Sequence, residues 1–158
     1  MFKDAQVDGV IVKDLKKYTD ERGWLIEIFR QDELEEKFYP VMSYISMTNR
    51  QVARGPHEHV DQADLFGFIG PSTFKIYLWD NRKDSPTYMN RMIITAGEDE
   101  PKLILVPPGV VHAYKNIGNQ LGMVTNYPNR LFMGEGKKEK VDEIRHEHNP
   151  NTIFKIED

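Results

Sequence analysis

The chain has 158 residues, 25 acidic and 21 basic side chains and a net charge of −4; the bases are scattered among the acids, which argues against a nucleic-acid footprint. The length suits one domain spanning residues 1–158, and the absence of cysteine excludes disulfides and thiolate chemistry. No apolar run approaches the length of a membrane span, and "MFKDAQVDGVIVKDLKKY" at the N-terminus lacks a signal-like apolar core, so a cytoplasmic protein without a membrane anchor is expected.

Short segments rich in β-branched and aromatic residues then recur between Gly, Pro, Asn and Asp. In chain order they read GVIVKDL, RGWLIEIF, VMSYISMT, LFGFIG, TFKIYLWD, MNRMIITA, LILVPPG, VVHAYKN and GMVTNYP. This is the rhythm of an all-β protein. Between the second and third, QDELEEKF (residues 31–38) predicts a short surface helix closed by Pro40, with Leu34 and Phe38 as its apolar stripe. In TFKIYLWD, Phe74, Ile76 and Leu78 alternate with Lys75, Tyr77 and Trp79, so both faces of that strand carry bulk and both are expected to be covered. Many short strands at close spacing predict a sandwich or jelly roll whose two sheets enclose a pocket. Its edge strands need cover, which a second subunit can supply.

The chemistry concentrates in NRQVARGPHEHVDQADLF (49–66), a run that reads as loop-like. His57 and His59 are two residues apart, so on an extended backbone they share a face. Pro107 and Gly109 set a turn just before His112, which can bring a third imidazole from another strand. The His-x-His followed by the acid Asp64, and the later Pro107, Gly109, His112 and Asn116, resemble the two motifs of the cupin jelly-roll barrels, with Asp64 where a glutamate is usual and Gly55 unusually close to His57. A closer likeness covers nearly the whole chain. DERGWLIEIF (20–29), RGPHEH (54–59), Gln62, LWDNRKDSPTY (78–88) and LILVPPGVVHAY (103–114) occur in the order and spacing of the dTDP-4-dehydrorhamnose 3,5-epimerases.

That resemblance implies a cofactor-independent epimerase of a nucleotide-linked 4-keto-6-deoxy sugar, in deoxysugar or polysaccharide biosynthesis, and a homodimer whose N-terminal strands cross to the neighbour. A ketone at C4 acidifies the hydrogens at C3 and C5, so a neutral imidazole can remove one. His57 aligns with the family's base, and a well-placed general base contributes roughly 10² to 10⁴ in rate. Arg22 and Arg54, each followed by Gly, match residues that hold the nucleotide diphosphate; guanidinium forks suit phosphate oxygens, and the adjacent Gly would let backbone approach the ligand. His112, Asp80 and Gln62 match pocket positions, with Asp80 grouped among the catalytic candidates, Phe29 could flank the base or sugar, and Tyr127 is the phenol nearest the proton donor's place.

Three positions depart from the family pattern. Its lysine near the enolate oxygen becomes Asp64 when Gln62 is aligned, its donor tyrosine has no clear counterpart, and the late carboxylate that partners the base is not apparent in the C-terminal segment. These departures motivate two alternatives: a nucleotide-sugar-binding homologue without catalysis, or a metal-dependent enzyme. His57, His59, Asp64 and His112 form a donor set suited to a divalent metal such as Zn, Fe, Mn or Ni. A second His-x-His, His146 and His148, lies in the charged run GEGKKEKVDEIRHEH, which is expected to be an exposed mobile loop.

Overall fold

A computed structural model describes residues 1–157. Its strands are β1 (Lys3–Asp4), β2 (Ile11–Asp14), β3 (Tyr18–Asp20), β4 (Gly23–Leu25), β5 (Tyr44–Thr48), β6 (Ala53–Glu58) and β7 (Asp64–Phe68). They continue as β8 (Thr73–Asp80), β9 (Asn90–Gly97), β10 (Lys102–Val106), β11 (Val110–Asn116), β12 (Gly122–Asn126) and β13 (Ile144–Arg145). Every segment expected to be a strand contains one. The sequence reading did not anticipate β6, because Arg-Gly-Pro-His interrupts any alternation, nor the short β1, β3 and β13.

Two sheets face each other in a jelly roll, one ordered β1-β9-β8-β11-β6-β13 and the other β2-β10-β7-β12-β5, while β3 and β4 form a separate hairpin. Alternation decides what lies between them. Phe74, Ile76 and Leu78 of β8 meet Phe66 and Phe68 of β7 and Ile104 and Val106 of β10 in the inner core. Burying each of these side chains stabilises the fold by roughly 1.5–3 kcal/mol.

The opposite faces are covered as well. Tyr77 and Trp79 stack, and with Val111 and Ala113 they lie beneath Phe2 and Phe154. Leu65, Leu103 and Leu105 lie beneath Ile28, Phe29, Leu34 and Phe38. The covering segment differs from expectation: residues 31–38 form two separate 3-10 turns, Gln31–Glu33 and Glu36–Phe38, not one helix. With only Leu34 and Phe38 to bury, an α-helix gains little from this sheet.

Candidate active site

β6 and β11 pair antiparallel with His57 opposite His112 and Arg54 opposite Tyr114. Three steps along β6 therefore match two along β11, and the extra residue is a bulge at Gly55 and Pro56. On a regular strand, residues three apart point to opposite faces. The bulge returns Arg54 and His57 to one face, the face that His112 and Tyr114 share. Gly55 permits this, for its φ is +83° and a Cβ there would sit 2.5 Å from the carbonyl oxygen of His112. The glycine thus lets two strand backbones close on each other, whereas the expectation was that it lets backbone approach a ligand.

His59 continues the same face. Its carbonyl accepts the Gly109 N–H at 2.9 Å, so the turn before His112 is tied to the end of β6. One ring nitrogen from each of His57, His59 and His112 comes within 4.8 Å of the others. From the facing sheet β7 supplies Asp64, fully buried, whose Oδ2 lies 3.1 Å from His59 Nε2 and 3.3 Å from His112 Nε2. Its Oδ1 accepts from Gln62 Nε2 at 2.9 Å and Asn126 Nδ2 at 2.8 Å. Burial opposes the Asp64 charge, yet the polar contacts of His112 and His59 hold its carboxyl well below the usual range. Burial likewise works against a charged His59, and the hydrogen bond and charge of Asp64 outweigh it, raising the pKa to about 9.

His57 stands apart electrostatically. Burial, and then the neighbouring His112 and His59, push its pKa down to about 2, which leaves the ring neutral with a free lone pair. The late segment closes on this ring. β13 pairs with β6, Arg145 opposite His57, and brings Glu143 Oε1 to 3.8 Å from His57 Nε2 and Glu147 Oε1 to 4.0 Å from Nδ1. Asp142 accepts from the N–H groups of Val60, Asp61 and Gln62 at 2.8–2.9 Å, and its carbonyl accepts from His59 Nδ1. The charged run read as an exposed mobile loop is therefore pinned across the cluster at residues 142–148. It supplies carboxylates beside His57 that the sequence did not reveal. His146 Nε2 bonds Glu58 Oε1 at 2.8 Å while His148 is exposed, so this second His-x-His does not converge on one point.

The other sequence candidates divide. Arg54 shares the His57 face and donates to Thr48 Oγ1 at 3.0 Å and to the Met47 carbonyl at 2.8 Å. Gln62 is turned inward onto Asp64, its amide nitrogen 3.3 Å from His59 Nε2. Arg22 lies on the exposed β3–β4 hairpin, its guanidinium paired with Asp20, and within one chain it does not join the histidines. Phe29 and Tyr127 pack together, ring centroids 5.1 Å apart, in the layer over the outside of the five-stranded sheet. Asn126, one residue earlier, points inward to Asp64, so the alternation of β12 carries Tyr127 away from the cluster. Asp80 accepts from Arg82, Ser85 and Thr87, and its carboxylate organises the loop after β8.

The family model for dTDP-4-dehydrorhamnose 3,5-epimerase matches residues 4–134. The chain belongs to the dTDP-4-dehydrorhamnose 3,5-epimerase family. Among curated relatives of this epimerase-family chain, "Probable low-salt glycan biosynthesis epimerase Agl13" of Haloferax volcanii is 34% identical over 85% of this chain and 86% of its own. "Spore coat polysaccharide biosynthesis protein SpsL" of Bacillus subtilis is 37% identical over 71% and 73%. Among solved structures, a dTDP sugar isomerase from Desulfovibrio desulfuricans superposes with a TM-score of 0.75 at 22% identity, covering 88% of this chain and 84% of that one. This shared fold is the cupin-like jelly roll of the epimerase family.

For this family member the sequence reading missed three residues around the cluster. Glu143 and Glu147 are more than eighty residues from His57 along the chain, and no local pattern links them. Tyr44 on β5 is the third: its phenol oxygen accepts from Asn126 Nδ2 at 2.8 Å, and the same amide nitrogen reaches Asp64. Burial and the Asp64 charge both raise the Tyr44 pKa. Alternation along YISMT was the available signal, since Ser46 bonds Tyr114 and Thr48 bonds Arg54 from the same face.

Proposed function

We propose that the protein epimerises a nucleotide-linked 4-keto-6-deoxy sugar, with His57 removing the proton next to the ketone. The observation that carries this reading is the largely buried His57 ring on the same strand face as Arg54, flanked by Glu143 and Glu147. A neutral imidazole takes the C3 or C5 proton and becomes an imidazolium, which faces Glu143 at 3.8 Å and Glu147 at 4.0 Å. Electrons from the broken C–H bond move to the C4 oxygen as an enolate. Return of a proton to the opposite face inverts the carbon, and Tyr44 takes the donor role that the sequence had given to Tyr127.

Arg54 holds the diphosphate through its guanidinium fork. Arg22 completes that clamp from a second subunit, since its hairpin leaves Tyr18, Trp24 and Leu25 exposed and pairs with neither sheet of its own chain. This is the reading that supports a homodimer with exchanged N-terminal strands. The mechanism calls on no organic cofactor. The names of the glycan and spore-coat relatives support a place in polysaccharide biosynthesis, with a cytoplasmic activated sugar as substrate.

The test is NMR of the protein with dTDP-4-keto-6-deoxyglucose in D₂O. Deuterium entering C3, C5 or both, with inversion, is the expected result. Binding of the nucleotide sugar without any deuterium uptake would instead identify a binding protein.

A further inference from the structure

Two imidazole nitrogens converge on Asp64 Oδ2, and the proton that His59 carries there is one that a cation can replace. A carbonyl oxygen only accepts, so the Val110 carbonyl 3.1 Å from His112 Nδ1 fixes a proton on that nitrogen and turns Nε2 toward Asp64. His112 is 2% exposed, and its Nε2 is a buried side-chain atom without a hydrogen-bond partner among the described residues. His59 is oriented in the same manner, its Nδ1 donating to the Asp142 carbonyl and its Nε2 turned inward. Both Nε2 atoms face one carboxylate oxygen, at 3.1 and 3.3 Å. The other Asp64 oxygen is occupied by two amide donors, from Gln62 and Asn126.

We propose that His59 Nε2, His112 Nε2 and Asp64 Oδ2 form a binding site for one divalent transition-metal cation, with His57 left outside the coordination set as the base. Ligands about 2.1 Å from a metal stand about 3.0–3.4 Å apart when adjacent, which is the spacing of Oδ2 from each Nε2. Each ligand also has its outer hydrogen bonds: a backbone carbonyl behind each imidazole and two amides behind the carboxylate, the arrangement that fixes tautomer and orientation at metal centres. Two imidazoles and a carboxylate suit Mn²⁺, Fe²⁺, Co²⁺, Ni²⁺ or Zn²⁺. His57 differs in that both its nitrogens are approached by glutamates of the late segment and not by Asp64. What the cation does there rests on the epimerase reading: with Asp64 in the place of a lysine, it restores a positive charge facing the enolate oxygen.

The test reads metal binding without any sugar. Chelator-stripped protein is titrated calorimetrically with Mn²⁺ and Co²⁺, and the visible spectrum of the Co²⁺ form is recorded. One cation per chain is expected, with affinity falling at least a hundredfold in His59→Gln and in Asp64→Asn and changing less than threefold in His57→Asn, whose Co²⁺ spectrum stays that of the wild type. No binding of either metal by folded wild-type protein would overturn the site and assign the space to a proton on His59. Equal loss in His57→Asn would overturn the exclusion of the base. Metal binding that persists in a protein unable to exchange substrate hydrogen would sink the epimerase reading and leave the site standing.

Discussion

Asp64 and Asp80 are both fully buried carboxylates at the end of a strand, and their surroundings differ in one respect. Around Asp80 every approach is a donor: Arg82 gives its Nε at 2.8 Å and its Nη2 at 2.9 Å, and the Ser85 and Thr87 hydroxyls each come to 2.6 Å. Around Asp64 only one oxygen is served by amides, while the other looks onto imidazole nitrogens. A buried charge completely surrounded by donors stabilises a loop and leaves nothing for a ligand to do. One whose second oxygen is left to two imidazoles marks a place where a cation can replace a proton. Burial and charge alone do not separate structural from functional acids here; the census of donors on each oxygen does.

The largest effect expected on the Asp64 side comes from His57→Asn. Deuterium exchange should fall by roughly 10² to 10⁴, the range of a general base, with an unchanged denaturation midpoint. Asp80→Asn should leave exchange per folded molecule untouched. Were the two results interchanged, the contrast between the clusters would collapse. Arg54→Ala comes next: removing a charged fork from phosphate costs roughly 1.5–3 kcal/mol, so dTDP affinity measured by calorimetry should drop between tenfold and somewhat over a hundredfold. An unaltered affinity would leave Arg54 only its bonds to Thr48 and Met47.

How much of this was legible in the sequence follows from how far apart the interacting residues lie. Alternation exposed β8 because Phe74, Ile76 and Leu78 are buried on one face while Tyr77 and Trp79 are buried on the other, which is a local property. His57, His59 and His112 were found as ligand-like residues, since two lie two apart in one extended run and the third follows a Pro-Gly turn. β6 itself was hidden by its bulge, where one extra residue breaks the period of two. The choice of Tyr127 failed for a related reason: its neighbour Asn126 is inward, so a phenol one step later must be outward, and the inward phenol comes from β5. Glu143 and Glu147 depend on a late segment crossing the site through the Asp142 bonds to residues 60–62, a long-range contact with no periodic signature. The Arg-Gly pairs were read alike, yet one Gly serves strand closure while Gly23, with nothing within 4 Å of its would-be Cβ, sits on a free hairpin.

The smallest effect is also the most diagnostic of the Asp80 side, because it depends on pH. Burial works against the Asp80 charge, but the bonds from Arg82, Ser85 and Thr87 outweigh it and hold the pKa at about 2, below the ordinary 3.8. A carboxyl whose pKa is depressed on folding binds fewer protons in the native state than in the unfolded chain across that interval. Its stabilisation is therefore complete above the unfolded pKa and is lost as the pH falls through the folded one. Asp80→Asn should cost at most about 2 kcal/mol at neutral pH, read as a lower urea midpoint. The gap between wild type and variant should hold down to about pH 4 and narrow steadily toward pH 2. A gap that stays constant over that interval would mean that the loop is held by the shape of residue 80 and not by its charge, and the donors counted around it would lose their meaning.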